Sequence, residues 1–155
     1  MELNDEMATL KEIKERGFID VKDDINFGTH REVMKLFGKD RINQMLSFFP
    51  HPHEEGVHIW FPVFYQDDKN DWENTWDKTK ETAFERRKED NAAYLEEQFD
   101  APERHTRIMF AKLQASRGTF YKFQGIYKFD PELSRTAKKG AYRRVATTAK
   151  LYPLE

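Results

Sequence analysis

Apolar positions recur along this chain with two periods, helical near the start and two-residue near the end. Leu3, Met7, Leu10 and Ile13 share one side of a helix over residues 3–16, and Gly17 behind Lys14 and Arg16 stops it. Residues 18–27 read as an extended connector turning at Asp23-Asp24. Thr29 and Glu32 have capping-box spacing, so a second helix starts there, with Val33, Leu36 and Phe37 as its apolar face and Gly38 as its end. Ile42, Met45, Leu46 and Phe49 repeat the helical period up to Pro50 and predict another short helix.

After a proline-punctuated loop, Val57–Tyr65 is β-branched and aromatic and reads as a strand, with Pro62 suggesting a sheet edge or a bulge. Residues 67–80 are polar around Trp72 and Trp76 and predict a loop or short irregular strands, whereas composition favours helix over 81–99. Beyond residue 106 the period becomes two. Residues 108–113 alternate, and Tyr121, Phe123, Tyr127 and Phe129 fall on one face across Gly125. Ser116-Arg117-Gly118 is a hairpin-length connection, and Ala141–Thr148 supplies a further strand. The expected fold class is α+β, one domain over residues 1–155, with an N-terminal helix over 1–17 and a mostly antiparallel sheet in the C-terminal half.

Composition supports a packed core: only 38% of the 155 residues are apolar, but 13 Phe, 6 Tyr and 3 Trp supply large buried areas. There is no cysteine, which excludes disulfides, thiolate metal sites and a cysteine nucleophile and fits a reducing compartment; cytoplasm is the expectation. No stretch approaches the roughly 20 apolar residues that span a bilayer, and the N-terminus lacks a signal-peptide pattern. The net charge of −2 hides an asymmetry, because residues 103–155 hold 12 Lys/Arg against 4 Asp/Glu. A basic final third is an electrostatic footprint for nucleic acid, or half of a surface that neutralises itself in the fold.

Chemistry-bearing motifs are sparse. His51, His53, Glu54, Glu55 and His58 are the residue types that hold zinc or iron, but prolines at 50 and 52 and a five-residue histidine spacing fit no metal helix. Glu12-Ile13-Lys14 has the form of a nuclease tripeptide, yet it falls in the first helix. Neither a glycine-flanked serine elbow nor a phosphate-cradling glycine loop is present. Aromatic residues interleaved with basic ones remain: Trp60, Trp72, Trp76 and Tyr121 as stacking surfaces, and Arg107, Lys122, Arg143 and Arg144 as phosphate partners. Core packing competes for the aromatic ones, most strongly for Phe123 and Phe129.

Arg107–Leu113, Phe120–Phe129, Tyr142-Arg143-Arg144 and Tyr152-Pro153-Leu154 resemble the closing strands of PUA-like domains, close to a C-terminal domain of bacterial helicase and restriction-type proteins and more distantly to the EVE, ASCH and SRA branches. Gly28–Glu32 with Leu36-Phe37, Ile59–Phe61 and Trp72–Asn74 fit the same likeness. The resemblance covers roughly residues 26–154 and implies a bent, barrel-like sheet flanked by short helices, with a pocket for modified or flipped bases. The resulting expectation is a non-enzymatic module that binds DNA or RNA, without cofactor, catalytic residue or metal. Two alternatives stand beside it: a protein-interaction module using the acidic first two-thirds, and a metal-dependent nuclease using the His51–His58 cluster.

Overall fold

The computed structural model describes residues 8–42 and 46–154. Helix α1 (Leu10–Arg16) is closed by a capping box between Thr9 and Glu12 and by Gly17 in the left-handed conformation. Strand β1 (Phe18–Asp20), a 3-10 turn over Val21–Asp23 and strand β2 (Asn26–Phe27) make the expected connector regular. In helix α2 (His30–Leu36) the Thr29 hydroxyl accepts from Glu32 N, while the Glu32 carboxylate turns to Gly28 N rather than Thr29 N.

Two expected helices are corrected. The one over 42–49 gives way to strand β3 (Phe48–Pro50), which pairs antiparallel with β4 (Val57–Trp60); Met45 lies outside the described residues. Pairing decides this, because Phe48 and Phe49 gain ladder bonds against Trp60 and Ile59 that outweigh a local helical period. The 81–99 segment divides into β6 (Thr82–Arg87) and helix α3 (Asn91–Phe99). Ala83 and Glu85 are its inward positions, so a charged residue occupies a core-facing site and hides the strand period. Upstream, Trp72–Trp76 is a regular strand, β5, paired antiparallel with β6. Strand β4 ends before Pro62 and lies between β3 and a later strand, not at an edge.

Strands β7 (Thr106–Ala115) and β8 (Gly118–Phe129) form a long hairpin; helix α4 (Pro131–Ala137), β9 (Gly140–Ala146) and β10 (Thr148–Lys150) follow. The main sheet runs β3-β4-β7-β8-β9-β6-β5, with β2 on β8, and is antiparallel except between β4 and β7; β1 pairs separately with β10. It curls into a half-barrel, the bent PUA-like sheet expected.

A bulge builds two cores from one hairpin. Met109 pairs with Gly125 but Phe110 with Phe123, so Gln124 is an extra residue on β8. One inserted residue reverses the in–out alternation. Tyr121 and Phe123 therefore enter a core with Ile13, Phe37, Phe61 and Phe110, whereas Tyr127 and Phe129 enter the opposite one with Trp60, Met109 and Tyr142. The expectation that all four rings share a face is corrected on this ground. Gly125 sits at φ 116°, and a Cβ there would lie 2.5 Å from the Ala146 carbonyl oxygen.

Candidate functional site

The second core opens as a cleft of about 120 Å³ lined by Ser47, Phe48, Trp60, Trp72, Glu85, Tyr94, Gln98, Arg104 and Arg107. A cavity on the order of 150 Å³ holds one benzene ring, so this cleft is on the scale of a single six-membered ring. Its walls are aromatic. Trp60 is buried against Tyr142 with ring centroids 5.0 Å apart, and Trp72 meets Tyr94 edge-on at 4.8 Å.

Its floor is charged. Glu85 on β6 and Arg107 on β7 are 7% and 3% exposed, and Arg107 Nη1 lies 3.6 Å from Glu85 Oε1. The Tyr94 hydroxyl donates to the same oxygen at 2.7 Å. Arg107 is directed elsewhere: Nη2 donates to Gln98 Oε1 at 2.8 Å and Nε to the Arg104 carbonyl at 2.8 Å. Phe48, Trp60 and Tyr142 place their rings 4.3–4.9 Å from the guanidinium carbon, a cation–π surround suited to a buried arginine. Burial pushes the Glu85 carboxyl above its ordinary range, against the lowering pull of Arg107 and of the Tyr94 hydroxyl. Burial also holds the Tyr142 phenol up at about 12.

Asn74 stands directly opposite Glu85 across the β5–β6 pair, where side chains share a face of the sheet. Its Nδ2 donates to the Val63 carbonyl, and its buried Oδ1 has no hydrogen-bond partner among the described residues. Asn74 borders a polar cleft of about 490 Å³ that also touches Phe64–Asp68, Trp72 and Lys88, so Trp72 is the wall common to both clefts.

The eight residues singled out in the sequence separate in space. Trp60, Trp72 and Arg107 meet in the small cleft. Trp76 is stacked on Phe64 with centroids 3.7 Å apart. Tyr121 is buried in the first core against Phe61 and His30. Lys122 pairs with Asp24, and Arg143 with Asp130 at 2.6 Å. The Arg144 guanidinium donates to the Gln124 carbonyl. Sequence reasoning missed Phe48, Asn74, Glu85, Tyr94, Gln98 and Arg104, because a helical reading of 81–99 leaves Glu85 on no sheet. The signal available was Trp72–Asn74, whose likeness to the family extends past the stacking Trp72 to Asn74.

The histidine cluster divides: His51, His53 and Glu54 gather around Tyr152, and His58 lies apart on Phe48. His51 Nδ1 accepts from the backbone of His53 and Glu54, His53 stacks on Tyr152, and His58 stacks on Phe48. Glu12 of the Glu-Ile-Lys tripeptide caps α1 through Thr9. Among the described residues, no group of three or more His, Asp or Glu is placed to hold a metal ion, and no helix is long and apolar enough to cross a membrane.

Comparison with known proteins places this geometry. Among solved structures, the 5-hydroxymethylcytosine-specific restriction enzyme AbaSI is similar, with a TM-score of 0.78 and 25% identity over 94% of this chain and 46% of that one. This chain thus spans less than half the length of that enzyme chain. No curated protein matches. A family model for the SET and RING associated (SRA) domain matches residues 12–151. The PUA-like resemblance resolves to one of its branches: the chain belongs to the SRA domain family.

Proposed function

We propose that this domain binds DNA and takes a modified cytosine out of the stack into the cleft between Phe48, Trp60 and Trp72. The observation that carries the reading is a buried carboxylate, Glu85, set opposite Asn74 at the foot of a ring-sized aromatic cleft. Proteins that extrude a base read its Watson–Crick edge by hydrogen bonds and hold its faces between apolar rings. Cytosine presents a two-hydrogen amino group where thymine presents a carbonyl oxygen. Glu85 lines the cleft as an acceptor, which favours cytosine and repels thymine; Asn74 lies opposite it across the β5–β6 pair and borders the adjoining cleft. The 5-hydroxymethylcytosine specificity of AbaSI supports a hydroxymethylated base as the ligand here.

Backbone contacts come from the rim. Arg104 is exposed beside the cleft, and Arg87 lies 6.0 Å from the Trp72 ring, held by the Glu89 and Asp90 carbonyls. Both are positioned to meet the phosphates that flank an extruded nucleotide.

Anisotropy titrations of duplexes that differ at one site, carrying cytosine, 5-methylcytosine or 5-hydroxymethylcytosine, test the proposal. The expected result is tightest binding to the hydroxymethylated duplex, with Glu85→Ala abolishing the preference but keeping salt-sensitive binding. Equal affinity of the unaltered protein for all three duplexes would overturn it.

A further inference from the structure

The cleft contains one more polar group whose orientation is fixed by its neighbours. Gln98 on α3 is 5% exposed and lines the cleft. Its Oε1 accepts from Arg107 Nη2 at 2.8 Å and from the Tyr142 hydroxyl at 3.2 Å. A guanidinium has donors and no acceptor, so reversing the amide would set N–H against N–H. The amide is therefore not free to flip, which assigns Nε2 as the remaining end. Among the described residues, Nε2 has no hydrogen-bond partner and is not sealed from solvent, and the cleft that Gln98 lines is the space beside it.

We infer that Gln98 is a specificity-determining residue that donates from Nε2 to the ring nitrogen N3 of the extruded base. This rests on the cytosine-reading proposal and extends it. Glu85 would accept from the amino group while Gln98 donates to the adjacent acceptor, the complement of a cytosine edge. A uracil ring carries the opposite order, a carbonyl oxygen and then an N3–H. It would meet Glu85 acceptor to acceptor and Gln98 donor to donor. Arg107 and Tyr142 become positioning residues, since they hold the Gln98 oxygen away from the base.

Gln98→Glu is the discriminating substitution, because it keeps the shape and the acceptor for Arg107 and Tyr142 and replaces the free donor by an acceptor, while adding a second buried carboxyl beside Glu85. Affinities are measured for duplexes with 5-hydroxymethylcytosine and with 5-hydroxymethyluracil at the same site. The expected result is that the preference for the cytosine duplex falls by about tenfold or more, with a cooperative melt retained and the affinity for an abasic-site duplex unchanged. An undiminished preference in Gln98→Glu, alongside its loss in Glu85→Gln, overturns the inference and leaves the cytosine-reading proposal standing. Retention in both variants overturns both. Should Gln98→Glu not fold, the unaltered protein is titrated with a 3-deaza-5-methylcytosine duplex against its 5-methylcytosine counterpart. About tenfold weaker binding is expected, and equal binding overturns the inference.

Discussion

Arg107 and Glu85 lie 3.6 Å apart in a nearly dry core, yet the guanidinium spends its short hydrogen bonds on Gln98 and on the Arg104 carbonyl. Glu85 Oε1 is met by the Tyr94 hydroxyl at 2.7 Å and by the Arg107 charge at 3.6 Å, while the short guanidinium hydrogen bonds go elsewhere. Removing one partner of a buried pair costs about 3–5 kcal/mol because the other charge is left uncompensated. Arg107→Met is expected to lose stability on that scale in urea denaturation, and Glu85→Gln in the same chain to recover part of it. A double variant no more stable than Arg107→Met alone would refute this account of the pair.

Glu85 also sets a pH dependence. Its carboxyl titrates above the ordinary 4.5 in the folded protein, so between those two values the folded state binds more protons and stability declines as pH rises. Glu85→Gln is expected to flatten that decline in melting curves taken upward from pH 4.5. An unchanged slope in the variant would place the dependence elsewhere.

His30 acts with the opposite sign. It is 7% exposed among Phe49, Phe61 and Tyr121, its buried Nδ1 has no partner among the described residues, and burial lowers its pKa from 6.5 to about 4. The folded state keeps the ring neutral while the unfolded chain protonates, so stability present above pH 6.5 is lost as pH falls towards 4, by at most about 3 kcal/mol. His51 and His58, also lowered by burial, add in the same direction. His30→Phe is expected to reduce the drop in melting temperature between pH 7 and pH 5; a drop of unaltered size would show that the other two carry it.

The bulge at Gln124 is testable by length. Gln124→Ala keeps the residue count and is expected to fold, whereas deletion of Gln124 restores strict alternation and turns Tyr127 and Phe129 away from their core. Loss of a cooperative melt in the deletion but not in the substitution is the expected outcome. Gly125→Ala should cost about 1–3 kcal/mol for its positive φ, and more where the Ala146 carbonyl cannot yield.

Phosphate contacts are distinguishable from base contacts by salt. Arg104→Ala is expected to weaken binding equally for modified and unmodified duplexes and to lower the slope of log affinity on log salt by about 1. Arg143, paired with Asp130, should change the slope less. A selective loss for the modified duplex in Arg104→Ala would instead place that residue on the base.

By itself the sequence determined the α+β class, the helix around Ile13, the helix begun at Thr29 and the β7–β8 hairpin, because these follow from local periodicity, caps and turn residues. It also supplied the family likeness through short runs such as Phe120–Phe129 and Trp72–Asn74. Tertiary structure alone decided which aromatic residues are core. One extra residue at Gln124 sends Tyr121 and Tyr127 to opposite sides, and no local pattern distinguishes an inserted residue from a regular one. It likewise decided the cleft, since Glu85 is a core-facing acid that breaks the strand pattern and becomes intelligible only beside Arg107, Tyr94 and Gln98. Those partners come from 9 to 22 positions away in sequence and meet through sheet pairing and the docking of α3. Charge followed the same rule: the basic final third is in part tied up by Asp24 and Asp130, and pairing across the fold cannot be read from a count of lysines and arginines.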